Sequence, residues 1–223
     1  MLSVRGKLMK AHIFDLDGTL LDSMGLWIQI DRELLAKRGI PLPEKEIYDK
    51  YVESVTPLSP AESAAHAIEF FGLKDTVEEV TREWNERAGH AYANIIALKP
   101  GAKAFLHTLR DKGAKTAIAT SSPAMLCMSA LRNHKIEDLI DAVCLTEEVG
   151  YGKSRPDVFL LAAKRLKTAP ADCIVYEDSL VAIKTAKAIG MTVCGVYDQA
   201  SDKNWDEIRR VADYIIYDFD KQE

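Results

Sequence analysis

The chain has 223 residues, 48% of them hydrophobic and 28% charged, the balance of an ordinary soluble globular protein with one sizeable domain or a core carrying a smaller inserted one. Its formal net charge of −5 argues against a nucleic-acid-binding surface. No apolar run approaches the roughly 20 residues needed to span a membrane.

Met1 to Lys10 is basic and lacks the apolar core of a secretory leader. Met9-Lys10 directly before the first apolar run resembles a natural start, which makes Met1 to Leu8 an extension. Cys127, Cys144, Cys173 and Cys194 are scattered, without metal-ligand spacing. A reduced, cytoplasmic compartment suits them, and a monomer is the default expectation.

Ala11 to Leu16 is a short apolar run with β-formers that closes on a Gly-Thr turn, the pattern of a buried strand. Asp15 and Asp17 fall at its carboxyl end, where open α/β sheets bind ligands. Two aspartates one residue apart repel each other and lose hydration if buried, so a cation or a shared proton is expected between them. Gly18 allows close backbone approach, and Thr19 adds a hydroxyl and an amide. A calcium loop of the EF-hand type is excluded, because Leu20 and Leu21 follow where oxygen ligands are required.

From Gly25 to about Ile96 the pattern is helical. Leu26, Ile30, Leu34 and Leu35 form a stripe that Gly39-Ile-Pro-Leu-Pro43 ends. A second helix is expected over Glu44 to Val52. Ser59-Pro60-Ala61-Glu62 reads as an N-cap, a first-turn proline and a capping-box acid, opening a helix that stops at Gly72. A fourth begins near Asp75-Thr76 and carries Val77, Val80, Trp84 and Tyr92.

Beyond Lys99-Pro-Gly101 short apolar runs alternate with helical stretches. Strands are expected at Thr116–Thr120, Ala142–Leu145, Cys173–Tyr176, Thr192–Val196 and Tyr214–Ile216. That alternation implies a doubly wound parallel sheet, an α/β fold with a helical insertion after its first strand. Three of the connections are polar in a suggestive way. Thr120-Ser121-Ser122-Pro123 places hydroxyls before a helix start, a natural phosphate cradle. Gly152-Lys153 precedes Pro156-Asp157. Glu177-Asp178 ends an apolar strand with two acids, which suits a cation.

Phe14-Asp-Leu-Asp-Gly-Thr-Leu-Leu-Asp-Ser23, Thr120, Lys153 with Pro156-Asp157, and Glu177-Asp178-Ser179 occur in the order of the four motifs of the haloacid dehalogenase superfamily, which the chain resembles over its whole core. The insertion and Glu-Asp-Ser point to the β-phosphoglucomutase-like branch. One departure stands out: Ser154 follows Lys153 where the family usually has proline.

The resemblance implies a Rossmann-like core over residues 1–22 and 98–223, with a mobile helical cap over residues 23–97. It implies phosphoryl transfer from a small phosphorylated metabolite with Mg²⁺ as cofactor. Asp15 would be the nucleophile and Asp17 the acid and base. Thr120 and Lys153 would hold phosphoryl oxygens, with Thr19 and Ser121 lending further contacts. Asp15, the Asp17 carbonyl, Asp178 and secondarily Glu177 would hold the metal. A dehalogenase is disfavoured by the presence of Asp17. A phosphonate hydrolase needs a catalytic cap lysine, and Lys37, Lys45, Lys50 and Lys74 show no such arrangement. The serious rival to a phosphatase is a hexose-phosphate mutase of the β-phosphoglucomutase type. It must hold a second phosphate, yet the segment Glu46 to His66 offers only Lys50 as a fixed cation.

Overall fold

The structure, a computed structural model, describes residues 3–4 and 7–220. Of the extension expected over Met1 to Leu8, residues 1–2 and 5–6 lie outside the described residues. What is described there is an antiparallel pair, β1 (Ser3–Val4) with β2 (Lys7–Leu8).

Six strands form one sheet in the order β5-β4-β3-β6-β7-β8. They are β3 (Ala11–Phe14), β4 (Lys115–Thr120), β5 (Ala142–Leu145), β6 (Cys173–Glu177), β7 (Thr192–Val196) and β8 (Tyr214–Ile216). Every pairing is parallel, so each connection must cross over, and helices supply the crossovers. β3 lies in the middle with all four residues buried, as a strand covered on both faces must be. Phe14 and Tyr176 are register partners on β3 and β6 and stack with centroids 4.5 Å apart. The chain turns left of β3 for β4 and β5 and returns to its right for β6, which makes the end of β3 the switch point of the sheet.

β3 ends at Phe14, two residues before the apolar run does. The Leu16 carbonyl accepts hydrogen bonds from the amides of Leu20 and Leu21 at 2.9 and 2.8 Å, which curls the chain out of the sheet. Asp15 keeps one ladder bond, its amide donating to the Tyr176 carbonyl at 3.0 Å. The carboxylate is thereby fixed at the tip of the central strand.

Four helices follow: α1 (Met24–Lys37), α2 (Lys45–Val55), α3 (Pro60–Phe71) and α4 (Val77–Asn94). α2 runs three residues beyond the expected Val52. Both α3 and α4 open with complete capping boxes, Ser59 with Glu62 and Thr76 with Glu79, and left-handed Gly72 closes α3. Entry and exit of this insertion are stitched together. The Asp22 amide donates to the Ala97 carbonyl at 3.0 Å, and the Lys99 amide to the Leu20 carbonyl at 2.8 Å.

The remaining helices are α5 (Ala102–Asp111), α6 (Ala124–Asn133), the unanticipated single turn α7 (Thr146–Val149), α8 (Asp157–Arg165), α9 (Leu180–Ala188) and α10 (Trp205–Val211). Ile13, Val158, Phe159, Ile183 and Ile208 fill the core on the face covered by α8, α9 and α10. On the other face Phe14, Leu106, Leu126 and Tyr176 form a core that continues into the insertion through Ile30, Leu34 and Tyr92. α4 packs along α6, which seats the four helices beside the carboxyl ends of the strands. All four cysteines are buried free thiols. Among the described residues no helix is long and apolar enough to cross a membrane.

Candidate active site

The tips of β3, β4 and β6 and the loop before α8 converge. Asp15, at the end of β3, accepts a hydrogen bond from the Lys153 ammonium, which also donates to Glu177 Oε2 at 2.8 Å. Lys153 and Glu177 are 3% and 1% exposed, so this contact is wholly desolvated. Asp178 follows Glu177 and accepts from Ser201 Oγ at 3.2 Å.

Asp15, Glu177 and Asp178 each bring a carboxylate oxygen within 4.8 Å of the others. Three buried acids face one ammonium, and the imbalance shows in the titration of Asp15 and Asp178. Burial, then the Glu177 charge, push Asp15 up to about 8 against the pull of Lys153. Burial and the charges of Glu177 and Asp15 raise Asp178 well above the ordinary carboxylate value. Burial works against the Lys153 ammonium, but Asp15 and Glu177 outweigh it and raise its pKa. Such a set of hard oxygen donors with excess negative charge fits a divalent cation of the Mg²⁺ type. Gly18 leaves room for it: at φ +78, a Cβ there would stand 2.5 Å from Asp178 Oδ2.

Asp17 is organised differently. Its carboxylate lies outside that cluster and accepts from three hydroxyls, those of Ser23, Tyr92 and Ser122. Ser23 stands at the N-cap of α1 yet gives its side chain to Asp17 rather than to the helix. Tyr92 belongs to α4 and in turn accepts from the Trp27 indole at 3.1 Å. The Asp17 side chain is therefore tied to both ends of the helical insertion.

Thr120 ends β4, and its Oγ1 accepts the Ser122 amide at 2.9 Å. The hydroxyls of Thr19 and Ser121 are buried and close no hydrogen bond with the described residues. Arg155 lies outside the cluster: it stacks over the Tyr151 ring at 3.6 Å and pairs with Asp157. His66 stacks on Tyr51.

A cavity of about 180 Å³ opens from Asp15, Asp17, Thr120, Ser121 and Lys153 into the helical insertion. Glu44, Glu46, Asp49, Glu53 and Glu62, which stand close together in sequence, do not line it. One that sequence reading passed over, Asp31, does. Its signal was present: Trp27, Asp31, Leu34 and Leu35 share a helical face, and an acid on a buried stripe is unusual. Tyr92 and Ser122 were visible only as a stripe residue and as part of a hydroxyl run.

The haloacid dehalogenase-like hydrolase family model matches residues 12–196. A phosphorylated carbohydrates phosphatase of Thermotoga maritima is 27% identical over 195 residues, covering 87% of this chain and 88% of that protein. The β-phosphoglucomutase of Bacillus subtilis is 29% identical over 196 residues, covering 84% and 83%. Among solved structures, a β-phosphoglucomutase from Clostridium difficile superposes with a TM-score of 0.81 at 23% identity, covering 97% of this chain and 94% of that one. With the motif residues gathered at the sheet's switch point and the family match running from residue 12 to residue 196, the chain belongs to the haloacid dehalogenase-like hydrolase family.

Proposed function

We propose that the protein is a Mg²⁺-dependent phosphatase that hydrolyses a small phosphorylated metabolite through an aspartyl-phosphate intermediate on Asp15. The observation that carries this reading is the desolvated Asp15–Lys153–Glu177 contact at one end of the cavity. A buried carboxylate held by a lysine, with hydroxyls beside it, suits attack on phosphorus.

In the first half-reaction an Asp15 oxygen bonds to phosphorus, the ester P–O bond breaks, and Asp17 protonates the departing alcohol. In the second, a water oxygen attacks the same phosphorus and gives its proton to Asp17. The acyl-phosphate P–O bond then breaks, which restores Asp15 and frees phosphate. Lys153, Thr120, Ser121 and Thr19 hold the phosphoryl oxygens. Mg²⁺ would be held by Asp15, Asp178 and Glu177, and supplies the positive charge that lets a carboxylate approach a phosphate.

Residues 23–97 act as a cap on a core of residues 1–22 and 98–223. Support comes from the paired hydrogen bonds at Leu20–Asp22 and Ala97–Lys99, which bring both connections to one hinge. The names of the relatives favour phosphate esters of small metabolites as substrates. A mutase of the kind named among them must hold a second phosphate. Among the described residues Lys153 is the sole Lys or Arg lining the cavity, and Lys50 is not there. That favours hydrolysis.

The test is phosphate release from p-nitrophenyl phosphate with Mg²⁺, alongside Asp15→Asn. Turnover should vanish in the variant while the fold persists. Normal turnover by Asp15→Asn removes the mechanism, and glucose 6-phosphate formed from β-glucose 1-phosphate faster than phosphate is released replaces the phosphatase by a mutase.

A further inference from the structure

The part of the cavity beyond the phosphoryl end is built by three helices of the insertion. Trp27 and Asp31 line it from α1, Tyr48 and Tyr51 from α2, and Trp84 from α4. Asp31 is 7% exposed and accepts from the Tyr48 hydroxyl at 2.8 Å. The Trp84 indole N–H bears on the same carboxyl but closes no hydrogen bond, although Trp84 is 8% exposed. No basic side chain of the described lining reaches this end, since Lys153 is paired with Asp15 and Glu177. A buried acid among four aromatic rings is thus left without a cation.

Resting on the phosphatase reading of Asp15, we propose that this end of the cavity binds the ammonium group of an amino-alcohol monophosphate, held by Asp31 and the rings of Trp27, Tyr48, Tyr51 and Trp84. Aromatic faces and a desolvated carboxylate both attract a cation, and both do so more strongly out of water. Most hydroxyls of the lining at this end are already committed, and the buried donors left free are Thr81 Oγ1 and the Trp84 indole. Thr56 and Ser63 donate their hydroxyls to the carbonyls of Val52 and Val55, and Tyr48 donates to Asp31. Size agrees: at about 180 Å³ the space is smaller than the roughly 300–1,000 Å³ of drug-sized pockets, which suits a two-carbon alcohol bearing an ammonium group. The substrate then spans the cavity as a zwitterion, its phosphate at Asp15 and its cation at Asp31.

Choline phosphate and 3,3-dimethylbutyl phosphate test this directly, because they share a shape and differ by a positive nitrogen in place of carbon. The wild-type enzyme should show kcat/KM at least about tenfold higher for choline phosphate, and Asp31→Asn should cut that ratio by at least about threefold, the rings alone keeping the remainder. Ethanolamine phosphate in the same panel tells a quaternary from a primary ammonium preference. A wild-type ratio near one, or a ratio that Asp31→Asn leaves intact, overturns the proposal; the wild-type ratio needs no variant to fold. If p-nitrophenyl phosphate itself is not hydrolysed, the phosphatase reading fails, and the cation site is decided by binding alone. Choline should then quench the fluorescence of Trp27 and Trp84 saturably where 3,3-dimethylbutanol does not. Equal quenching by both, or none by choline, overturns the cation site.

Discussion

The Glu62 carboxylate, on the first turn of α3, accepts a hydrogen bond from the backbone amide of Gly152 at 3.1 Å. The same oxygen accepts the Ser59 amide at 2.8 Å, so one acid caps a helix of the insertion and grips the loop that carries Lys153. The approach is close: a Cβ on Gly152 would stand 2.3 Å from the Pro57 carbonyl oxygen.

Gly152→Ala should therefore push the Lys153 loop away from the insertion. Because the obstacle is backbone and not a flexible side chain, we expect kcat/KM to fall by at least about tenfold, toward the roughly hundredfold of a misplacement near 1 Å. Glu62→Ala removes both bonds and should cost about 1 kcal/mol of stability, the usual worth of an N-terminal cap, with a rise in KM. Steady-state kinetics with a thermal melt checks both. Unchanged kinetics in Gly152→Ala would show that the loop and the insertion do not act together.

Tyr92 links the insertion to Asp17. Tyr92→Phe removes one of three hydroxyl donors and also strands the Trp27 indole, while the ring keeps its packing. Asp17, the proposed acid and base, is then less well oriented, so kcat should fall by roughly tenfold, a part of the 10²–10⁴ that general acid–base catalysis supplies. KM for p-nitrophenyl phosphate should move less than kcat. A variant with wild-type kcat would leave Tyr92 with a packing role only.

Much of this arrangement is legible in the residues. Asp15, Thr120 and Glu177 were located because each ends an apolar run on a polar side chain, and a parallel sheet brings such ends to one edge. The capping boxes at Ser59 and Thr76 are local chemistry, encoded within four residues. Asp31 and Tyr92 were not located, since their roles depend on how α1, α2 and α4 pack together, and no local pattern states that geometry. The curl at Leu16 was missed for a related reason: Leu16 is apolar like the strand before it, and only its carbonyl partners show that the strand has ended.

Gly18 and the acid cluster make a prediction about metal. With Asp15 held up to about 8 and Asp178 raised as well, a divalent cation must displace protons to bind. Mg²⁺ affinity should therefore rise with pH between about 6 and 8, with proton release on binding. Calorimetry in two buffers of different ionisation enthalpy measures that release. At saturation near 100 times Kd, Mg²⁺ should stabilise the fold by about 2.7 kcal/mol, and chelator should reverse it. Gly18→Ala, which drives a methyl group into the Asp178 carboxylate, should abolish the Mg²⁺-dependent shift in Tm. A shift of wild-type size in that variant places the cation elsewhere.

Asp31 predicts how stability depends on pH. Burial, opposed by the hydrogen bond from Tyr48, lifts its carboxyl from an ordinary 3.8 to about 6. A carboxyl with a raised folded-state pKa prefers its neutral form in the fold. The unfolded chain therefore gives up its proton first as pH rises, and stability is lost between about 4 and 6. Below that window Asp31 is neutral in both states and costs nothing. Above it the full penalty applies, about 3 kcal/mol for a difference of 2.2 pH units at 1.36 kcal/mol each. Asp31→Asn cannot ionise, and its carbonyl still accepts the Tyr48 hydroxyl. Near pH 4 the variant and the wild type should melt together. By pH 7 the variant should melt higher, by roughly 6–12 °C for a chain of this size. Other titrating groups act equally on both proteins, so the difference in Tm isolates Asp31. A difference that stays flat from pH 4 to 8 would mean that Asp31 is solvated as an ordinary surface acid, and the aromatic enclosure around it would then not exclude water.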